Sequence, residues 1–252
     1  MRKKIIQFLI QIRKFLREKF HQYNSQLPFI IAIIIALLIV VFGINFFIEF
    51  TSALKSTMVE SFDQRVTQYI ISFRSPQLNV FFQYLTEVGD FYGYLVLAAV
   101  FTIVFYLIFR NWRYVLEMVF VLLISGLANV SLKQVINRAR PDAVHLVSVE
   151  TLSYPSGHAM SAMAFYGFLI YLFYSLKLKL WIKVLSIIIC SLIILGIGIS
   201  RVYLGVHFPS DVLGGFIAGF IWVIFCVVLF HLIDLLRKRR RRRNKKTSTK
   251  FV

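Results

Sequence analysis

Acidic residues and cysteines are scarce in this chain. Only 11 of its 252 residues are Asp or Glu, against 29 Lys and Arg. The two cysteines, Cys190 and Cys226, both lie in apolar stretches, where a small hydrophobic role in a helix is sufficient. The sequence therefore contains no disulfide framework and no Cys and His residues at metal-binding spacing. It also has no carboxylate cluster that would hold a divalent cation, so no metal and no other cofactor is expected.

The net charge of the middle of the chain is nearly zero. Residues 1–26 hold seven Lys and Arg and one Glu, and residues 237–252 hold ten Lys and Arg and no acid, so the two ends carry +16 of the net +18. Basic ends that flank hydrophobic segments are typical of the cytoplasmic side of a membrane, where they bind anionic headgroups. Binding of nucleic acid by residues 237–243 is a less favoured alternative, and no nucleic-acid partner is expected.

Long apolar runs fill the space between the basic ends. The composition is 59% hydrophobic, which is too apolar for an ordinary soluble domain. Six runs have about the ~20 residues that a helix needs to cross a ~30 Å hydrocarbon core. Continuous runs of this length favour helices over the short alternating strands of a barrel. The sequence predicts an all-α polytopic membrane protein with six transmembrane helices in a bundle, over residues 28–49, 91–109, 114–132, 158–176, 181–199 and 212–236.

The charges of the connecting loops predict an orientation. With the N-terminus inside, the short basic connections 110–113 and 177–183 lie on the cytoplasmic side, as Lys and Arg prefer. The protein is then a multi-pass plasma-membrane protein with both termini in the cytoplasm. Loops 133–157 and 200–211 lie on the outer face. The first run is longer than the apolar region of a signal peptide, so we expect a retained anchor.

The same patterns divide the chain into three regions. In residues 1–26, apolar residues recur at helical spacing among Lys and Arg, which predicts a basic interfacial helix. Residues 27–236 form the six-span domain, and residues 237–252 form a basic cytoplasmic tail. Within the domain, residues 50–90 predict an amphipathic hairpin on the outer face. This hairpin either lies over the bundle or acts as a lid that guides a lipid.

Cationic side chains next to the predicted spans point to an anionic ligand. Ionisable groups in such positions are costly and usually functional. Arg140 and Arg201 can each present a planar fork to two phosphate oxygens, and Lys133 adds a point charge. These three residues are therefore predicted to bind phosphate.

The segment Pro155–His158 directly precedes the apolar run 158–176. It is predicted to form a helix N-terminus, whose free N–H groups and dipole favour a phosphate. Gly157 would let the phosphate approach the backbone closely. Ser156 would cap the helix, bind the phosphate, or do both.

Two histidines can carry phosphoryl transfer. Asp211 lies four residues after His207, and a carboxylate on one imidazole nitrogen leaves the other free to attack phosphorus. We therefore predict His207 as the nucleophile and Asp211 as its orienting partner. His158 is predicted to protonate the leaving oxygen, and later to activate the water that hydrolyses the phosphohistidine.

These segments resemble the signature of the type-2 phosphatidic-acid phosphatase family. Its pattern is Lys-x6-Arg-Pro, then Pro-Ser-Gly-His, then Ser-Arg-x5-His-x3-Asp, and every signature position matches over residues 133–211. The resemblance implies a helical core shared with vanadium-dependent haloperoxidases, a phosphohistidine intermediate and no metal requirement. It also implies a lipid phosphate substrate, such as phosphatidic acid, phosphatidylglycerophosphate or undecaprenyl diphosphate.

Two other functions remain open at this point. An alcohol other than water as acceptor would make the protein a lipid phosphotransferase. A non-enzymatic lipid transporter or scramblase would need the cations, but not two histidines and an aspartate. Arg138 either helps to bind a second phosphate or is a solvated loop residue. The sequence does not indicate the oligomeric state.

Overall fold

The structure is a computed structural model that describes residues 11, 27–148 and 151–248, with side chains for residues 11, 30–107, 110–148 and 151–237. Its regular elements within these residues are helices, without a strand. The interfacial helix predicted over 1–26 lies outside the described residues apart from residue 11, as do residues 249–252 of the predicted tail.

A 3₁₀ turn, Ala53–Lys55, joins the first two helices. The helices are α1 Leu27–Ser52, α2 Thr57–Ile71, α3 Pro76–Glu87, α4 Phe91–Phe109, α5 Trp112–Ile136, α6 Gly157–Ser175, α7 Leu180–Tyr203 and α8 Pro209–Ser248.

Four of the described helices are long and apolar enough to cross a membrane. Their spanning segments are Ile30–Lys55, Trp112–Ile136, Leu180–Tyr203 and Pro209–Arg237. A fifth candidate is the bent pair formed by α3 and α4, whose axes meet at 57°. An all-helical, multi-pass membrane protein is therefore confirmed. The count of six spans is not, because α6 has only 19 residues, opens on a polar turn and contains three tyrosines.

Helix α6 lies at the centre of the bundle, in contact with α5, α7 and α8. Phe165, Phe168 and Leu169 on this helix are fully buried. Close packing against α8 depends on Gly219, where a Cβ atom would lie 2.6 Å from the carbonyl oxygen of Met160. Gly215, four residues earlier on α8, likewise leaves no room for a Cβ atom, and small residues at this spacing allow two helices to pack closely.

The ends of four helices meet at one end of the bundle, which we call the site end. Here α5 ends at Ile136, followed by Asn137 in the left-handed conformation that commonly terminates helices. Helix α6 begins at Gly157, and α8 begins at Pro209, as the fixed φ of proline favours. Between α7 and α8, Gly205 takes a positive φ of 79°, a conformation that suits glycine.

Helices α2 and α3 attach to this end by packing against α7. Each begins at a serine that caps it: Ser56 accepts the N–H of Val59, and Ser75 accepts the N–H of Leu78. Arg74 between them donates two hydrogen bonds, of 3.0 and 2.8 Å, to the carbonyl oxygen of Tyr203. The 57–87 segment is therefore fastened to the end of α7.

Candidate active site

The three predicted segments meet at the site end around a polar cavity of about 420 Å³. Each contributing helix places its site residue at the end that faces the cavity. Side chains that are far apart in the sequence therefore lie close together. Of the predicted site residues, six line this cavity: Lys133, Arg140, Gly157, His158, Arg201 and His207. Ser156 and Asp211 lie behind its wall, and both are fully buried.

Lys133 and Arg140 are held by the same short stretch of backbone. Nζ of Lys133 donates to the hydroxyl of Thr151 at 2.9 Å and to the carbonyl oxygen of Leu152 at 2.7 Å. Nε of Arg140 donates to the carbonyl oxygen of Thr151 at 2.6 Å. Burial lowers the pKa of the Arg140 guanidinium, and the nearby Asp211 opposes that shift. An arginine nevertheless remains protonated at neutral pH, so both cations can neutralise an anion.

Arg201 reaches the cavity from the last turn of α7 and is only 4% exposed. Its Nη1 donates to the hydroxyl of Thr86 at 2.8 Å. Its buried Nε has no hydrogen-bond partner among the described residues. An unsatisfied donor on a buried cation is costly, and a phosphate oxygen in the cavity would satisfy it.

His207 is 1% exposed and presents its two ring nitrogens to different surroundings. Nδ1 faces Asp211, whose Oδ2 lies 3.5 Å away, while Nε2 lies 3.4 Å from Nη1 of Arg140 at the cavity. Burial lowers the pKa of His207 to about 4, an effect that Asp211 opposes and that Arg201 and Arg140 reinforce. The ring is therefore neutral near pH 7. With its proton on Nδ1, the lone pair of Nε2 is directed at the cavity.

Ser153 stands between His207 and Asp211 and is fully buried. Its hydroxyl donates a short hydrogen bond to Oδ2 of Asp211 and lies 3.3 Å from Nδ1 of His207. Asp211 also accepts the backbone N–H of Phe208 at 2.9 Å. These bonds fix the carboxylate in the position where it orients the imidazole.

Arg138 has a different environment from either of those predicted for it. Its side chain is 17% exposed and forms ion pairs with Asp211 at 2.6 Å and with Asp63 of α2 at 2.8 Å. The guanidinium also lies over the ring of Phe208, 4.6 Å from its centroid. Because both Nη atoms of its guanidinium pair with carboxylates, Arg138 is not a solvated loop residue.

His158 has an acidic neighbour that comes from another helix. Oδ1 of Asp90, the N-cap of α4, lies 3.9 Å from Nε2 of His158. Asp90 is therefore close enough to interact electrostatically with the ring, at the polar cavity that both residues line.

The helix start predicted at Pro155–His158 is present in the structure, whereas the capping hydrogen bond predicted for Ser156 is not. Helix α6 begins at Gly157, where a Cβ atom would lie 2.9 Å from Oδ1 of Asn129, so the backbone can approach its neighbours closely there. Ser156 occupies the N-cap position, but its side chain makes no capping hydrogen bond. Its hydroxyl is buried without a partner in the part of the chain that the structure describes. Of the two predicted roles, the helix cap is therefore wrong, and the binding of phosphate stays a prediction.

A second, apolar cavity of about 720 Å³ lies between α4, α5 and the first turn of α6. Its lining is mostly apolar, with Leu95, Leu123 and Leu127 among the residues. It shares Asp90, Gly157 and His158 with the polar cavity. The two cavities therefore meet at His158.

Known proteins match this chain in sequence. A sequence model of the PAP2 superfamily matches residues 114–234, which include every predicted site residue. Phosphatidylglycerophosphatase B of Bacillus subtilis is 35% identical over 175 residues, which are 69% of this chain and 86% of that protein. The chain belongs to the PAP2 superfamily. The predicted family is therefore confirmed, and with it the prediction of a membrane phosphatase.

Two further relatives extend the match within the PAP2 superfamily. The crystal structure of the first transmembrane PAP2-type phosphatidylglycerolphosphate phosphatase, from Bacillus subtilis, superposes with a TM-score of 0.71 at 33% identity. The match covers 77% of this chain and 96% of that one. Lipid A 1-phosphatase of Rhizobium johnstonii is 30% identical over 129 residues, which are 47% of this chain and 49% of that protein.

The residues around this PAP2 site that were missed by the sequence analysis include Asp63, Thr86, Asp90 and Ser153. The first three lie well before the signature and join it only through tertiary packing. Ser153 lies two positions before Pro155, and its polarity in a short loop was the one available signal. Among the described residues, no group of three or more His, Cys, Asp and Glu is placed to hold a metal.

Proposed function

We propose that this PAP2 protein is a lipid phosphatase that works at the outer leaflet through a phosphohistidine intermediate. One observation carries the proposal: two histidines and three cations line a polar cavity that shares His158 with an apolar cavity. The polar cavity suits a phosphate, and the apolar one suits the chain of a lipid. A transporter would need neither the neutral, oriented His207 nor a second histidine.

The first half-reaction forms a bond to His207. Nε2 attacks phosphorus, the bond between phosphorus and the lipid oxygen breaks, and His158 gives its proton to that oxygen. The imidazole becomes positive as the bond forms, and Asp211 stabilises that charge at Nδ1. Lys133, Arg140 and Arg201 neutralise the phosphoryl oxygens, as a metal ion does in other phosphatases.

The second half-reaction releases phosphate. Neutral His158 takes a proton from water, the water oxygen attacks phosphorus, and the bond to Nε2 breaks. Inorganic phosphate leaves, His207 returns to its neutral form, and His158 is again protonated. No step requires a metal ion, so activity should persist in EDTA.

We propose phosphatidylglycerophosphate as the first substrate to test. The support is the relative named phosphatidylglycerophosphatase B, of which this chain matches 86%. The outer-face orientation, with both termini in the cytoplasm, rests on the basic connections 110–113 and 177–183. Six membrane crossings, with α6 as a central span, would agree with this orientation.

Release of inorganic phosphate tests the proposal. Purified full-length protein in detergent with EDTA is given phosphatidylglycerophosphate, phosphatidic acid and undecaprenyl diphosphate in parallel, with His207→Ala as control. We expect release that disappears in the variant, with the ratio of the three rates giving the preferred lipid. If correctly folded protein released no phosphate from any of the three, the proposal would be wrong.

A further inference from the structure

Asp63 is a buried carboxylate outside the three signature segments. It lies on α2, is 1% exposed, and is fully hydrogen-bonded. Oδ1 accepts the backbone N–H of Ser210 at 2.9 Å, and Oδ2 accepts the Ser210 hydroxyl at 2.5 Å. Oδ2 also accepts Nη2 of Arg138 at 2.8 Å. This carboxylate therefore binds both the start of α8 and the loop after α5.

Arg138 completes the connection to the nucleophile. Its Nη1 donates to Oδ1 of Asp211 at 2.6 Å and to the Ser210 hydroxyl at 2.7 Å. The guanidinium thus bridges two buried carboxylates, one from α2 and one from α8. Such an arrangement is stable only because each charge is both paired and hydrogen-bonded.

We propose that Asp63 and Arg138 are positioning residues for His207, acting through Asp211. This inference rests on the proposed function, since it assumes that His207 attacks phosphorus. Neither residue lines the cavity that contains His207 and His158. They hold the Asp211 carboxylate in place from the side that faces away from the imidazole. Catalysis consequently requires α2 to be docked, because Asp63 on this helix holds the guanidinium that pairs with Asp211.

The charges give the two residues opposite electrostatic effects. Arg138 compensates the negative charge of Asp211, which would otherwise draw a proton onto His207. Asp63 in turn compensates Arg138. The other charged and titratable groups that share the cavity with His207 come from α3, the N-cap of α4, α5, the following loop, α6 and α7. They are Glu87, Asp90, Lys133, Arg140, His158 and Arg201. These six are unchanged in the variants below.

The test is the pH profile of phosphate release by the purified full-length protein. We expect Arg138→Gln to lower kcat by about 10²-fold, as a displaced catalytic group does, with KM nearly unchanged. It should move the acid limb of the profile up by ~1 pH unit. Without its cationic partner, Asp211 stabilises the protonated form of His207 more strongly, and this raises the pKa of His207. Asp63→Asn should also lower kcat but should not raise the acid limb. The same substrate serves all variants, so its own ionisation cancels.

Two control variants distinguish a kcat lowered by lost positioning of His207 from a kcat lowered by poor folding. Arg74→Gln removes a partly buried arginine of the 57–87 segment, which also contains Asp63; its side chain donates to the carbonyl oxygen of Tyr203 and not to Asp211. It should lower the unfolding temperature in detergent without moving the acid limb. Arg138→Lys keeps the charge, so it should keep the wild-type limb while lowering kcat. This variant also tests the proposal if Arg138→Gln does not fold.

The outcomes are distinct. Wild-type kcat in folded Asp63 and Arg138 variants would overturn the proposal, and so would a loss of kcat in Arg138→Gln with an unmoved acid limb. A raised KM with unchanged kcat would instead make Arg138 a phosphate ligand. Failure of the proposed function would be visible separately, as absence of phosphate release by the wild-type protein.

Discussion

Nε2 of His158 lies 3.9 Å from Oδ1 of Asp90, and the same oxygen accepts the N–H of Phe91 at 2.8 Å to cap α4. The residue that begins α4 therefore also faces the predicted proton donor. Both residues line the polar and the apolar cavity. This places the expected proton transfer at the boundary between phosphate and lipid, where the bond to the leaving oxygen would break.

Replacing His158 by alanine should slow the first half-reaction in proportion to the basicity of the leaving oxygen. General acid catalysis contributes typically ~10²–10⁴-fold, and it matters least when the leaving group needs no proton. We expect kcat/KM to fall by about that factor for a lipid phosphate and by much less for p-nitrophenyl phosphate. Steady-state rates on both substrates measure the difference, and an equal loss on both would contradict the role as acid.

Activity should persist well below the ordinary pKa of histidine. His207 must be neutral to attack, and burial lowers its pKa to about 4. The neutral form is therefore present above that value and is lost as the pH falls through it. We expect the acid limb of kcat/KM near pH 4 and not near 6.5.

The pH profile is measured with two substrates whose phosphate groups ionise at different pH values, to show which group causes the acid limb. A limb that belongs to His207 stays at the same pH for both substrates. A limb that moves with the substrate belongs to the phosphate group, and an enzyme limb near 6.5 would contradict the lowered pKa.

Loss of the Ser153 hydroxyl should loosen Asp211. Ser153→Ala removes one hydrogen bond to the carboxylate and leaves those from Phe208 and Arg138. A bond to a charged group contributes ~1.5–3 kcal/mol, so we expect kcat to fall by at least about tenfold with KM little changed. The matched control is Ser125→Ala, a buried serine of α5 whose hydroxyl has no partner among the described residues. Equal kcat in the two variants would show that Ser153 has no such role.

The apolar cavity can be narrowed at Gly126. It lines the cavity on α5, and a Cβ atom there would meet nothing within 4 Å. Gly126→Leu should displace about two methylene groups of a bound chain, at ~0.8 kcal/mol each, and so raise KM about tenfold for long-chain lipids. KM for p-nitrophenyl phosphate should not change. Gly126→Ala serves as the small-residue control, and a KM increase on both substrates would argue against a chain in this cavity.

The sequence predicted the features that are encoded locally. The four-residue spacing of His207 and Asp211, the helix start at Pro209 and the start of α6 at Gly157 all follow from neighbouring residues, and the structure contains them. The Arg113–Glu117 ion pair within α5, at 2.5 Å, joins residues four apart in the same way. Local spacing is sufficient in these cases because one helix or one turn carries both partners.

Contacts between segments that are far apart in the chain could not be predicted from the sequence. Arg138 seemed a free cation, because its partner Asp63 belongs to a helix well before it in the chain. Asp234 on α8 pairs with Arg113 on α5, a contact between two different helices. The capping hydrogen bond expected of Ser156 is absent from the described structure, although this residue occupies the N-cap position of α6. Pairings of this kind depend on which helix faces align.

The meeting of the two cavities at His158 has a consequence for the fate of the products. Inorganic phosphate is soluble in water and can depart through the polar cavity, whereas a dephosphorylated lipid remains in the bilayer. The two products would then leave by separate exits into different solvents. Because the lipid would leave after the first half-reaction and phosphate after the second, neither product would block the exit of the other.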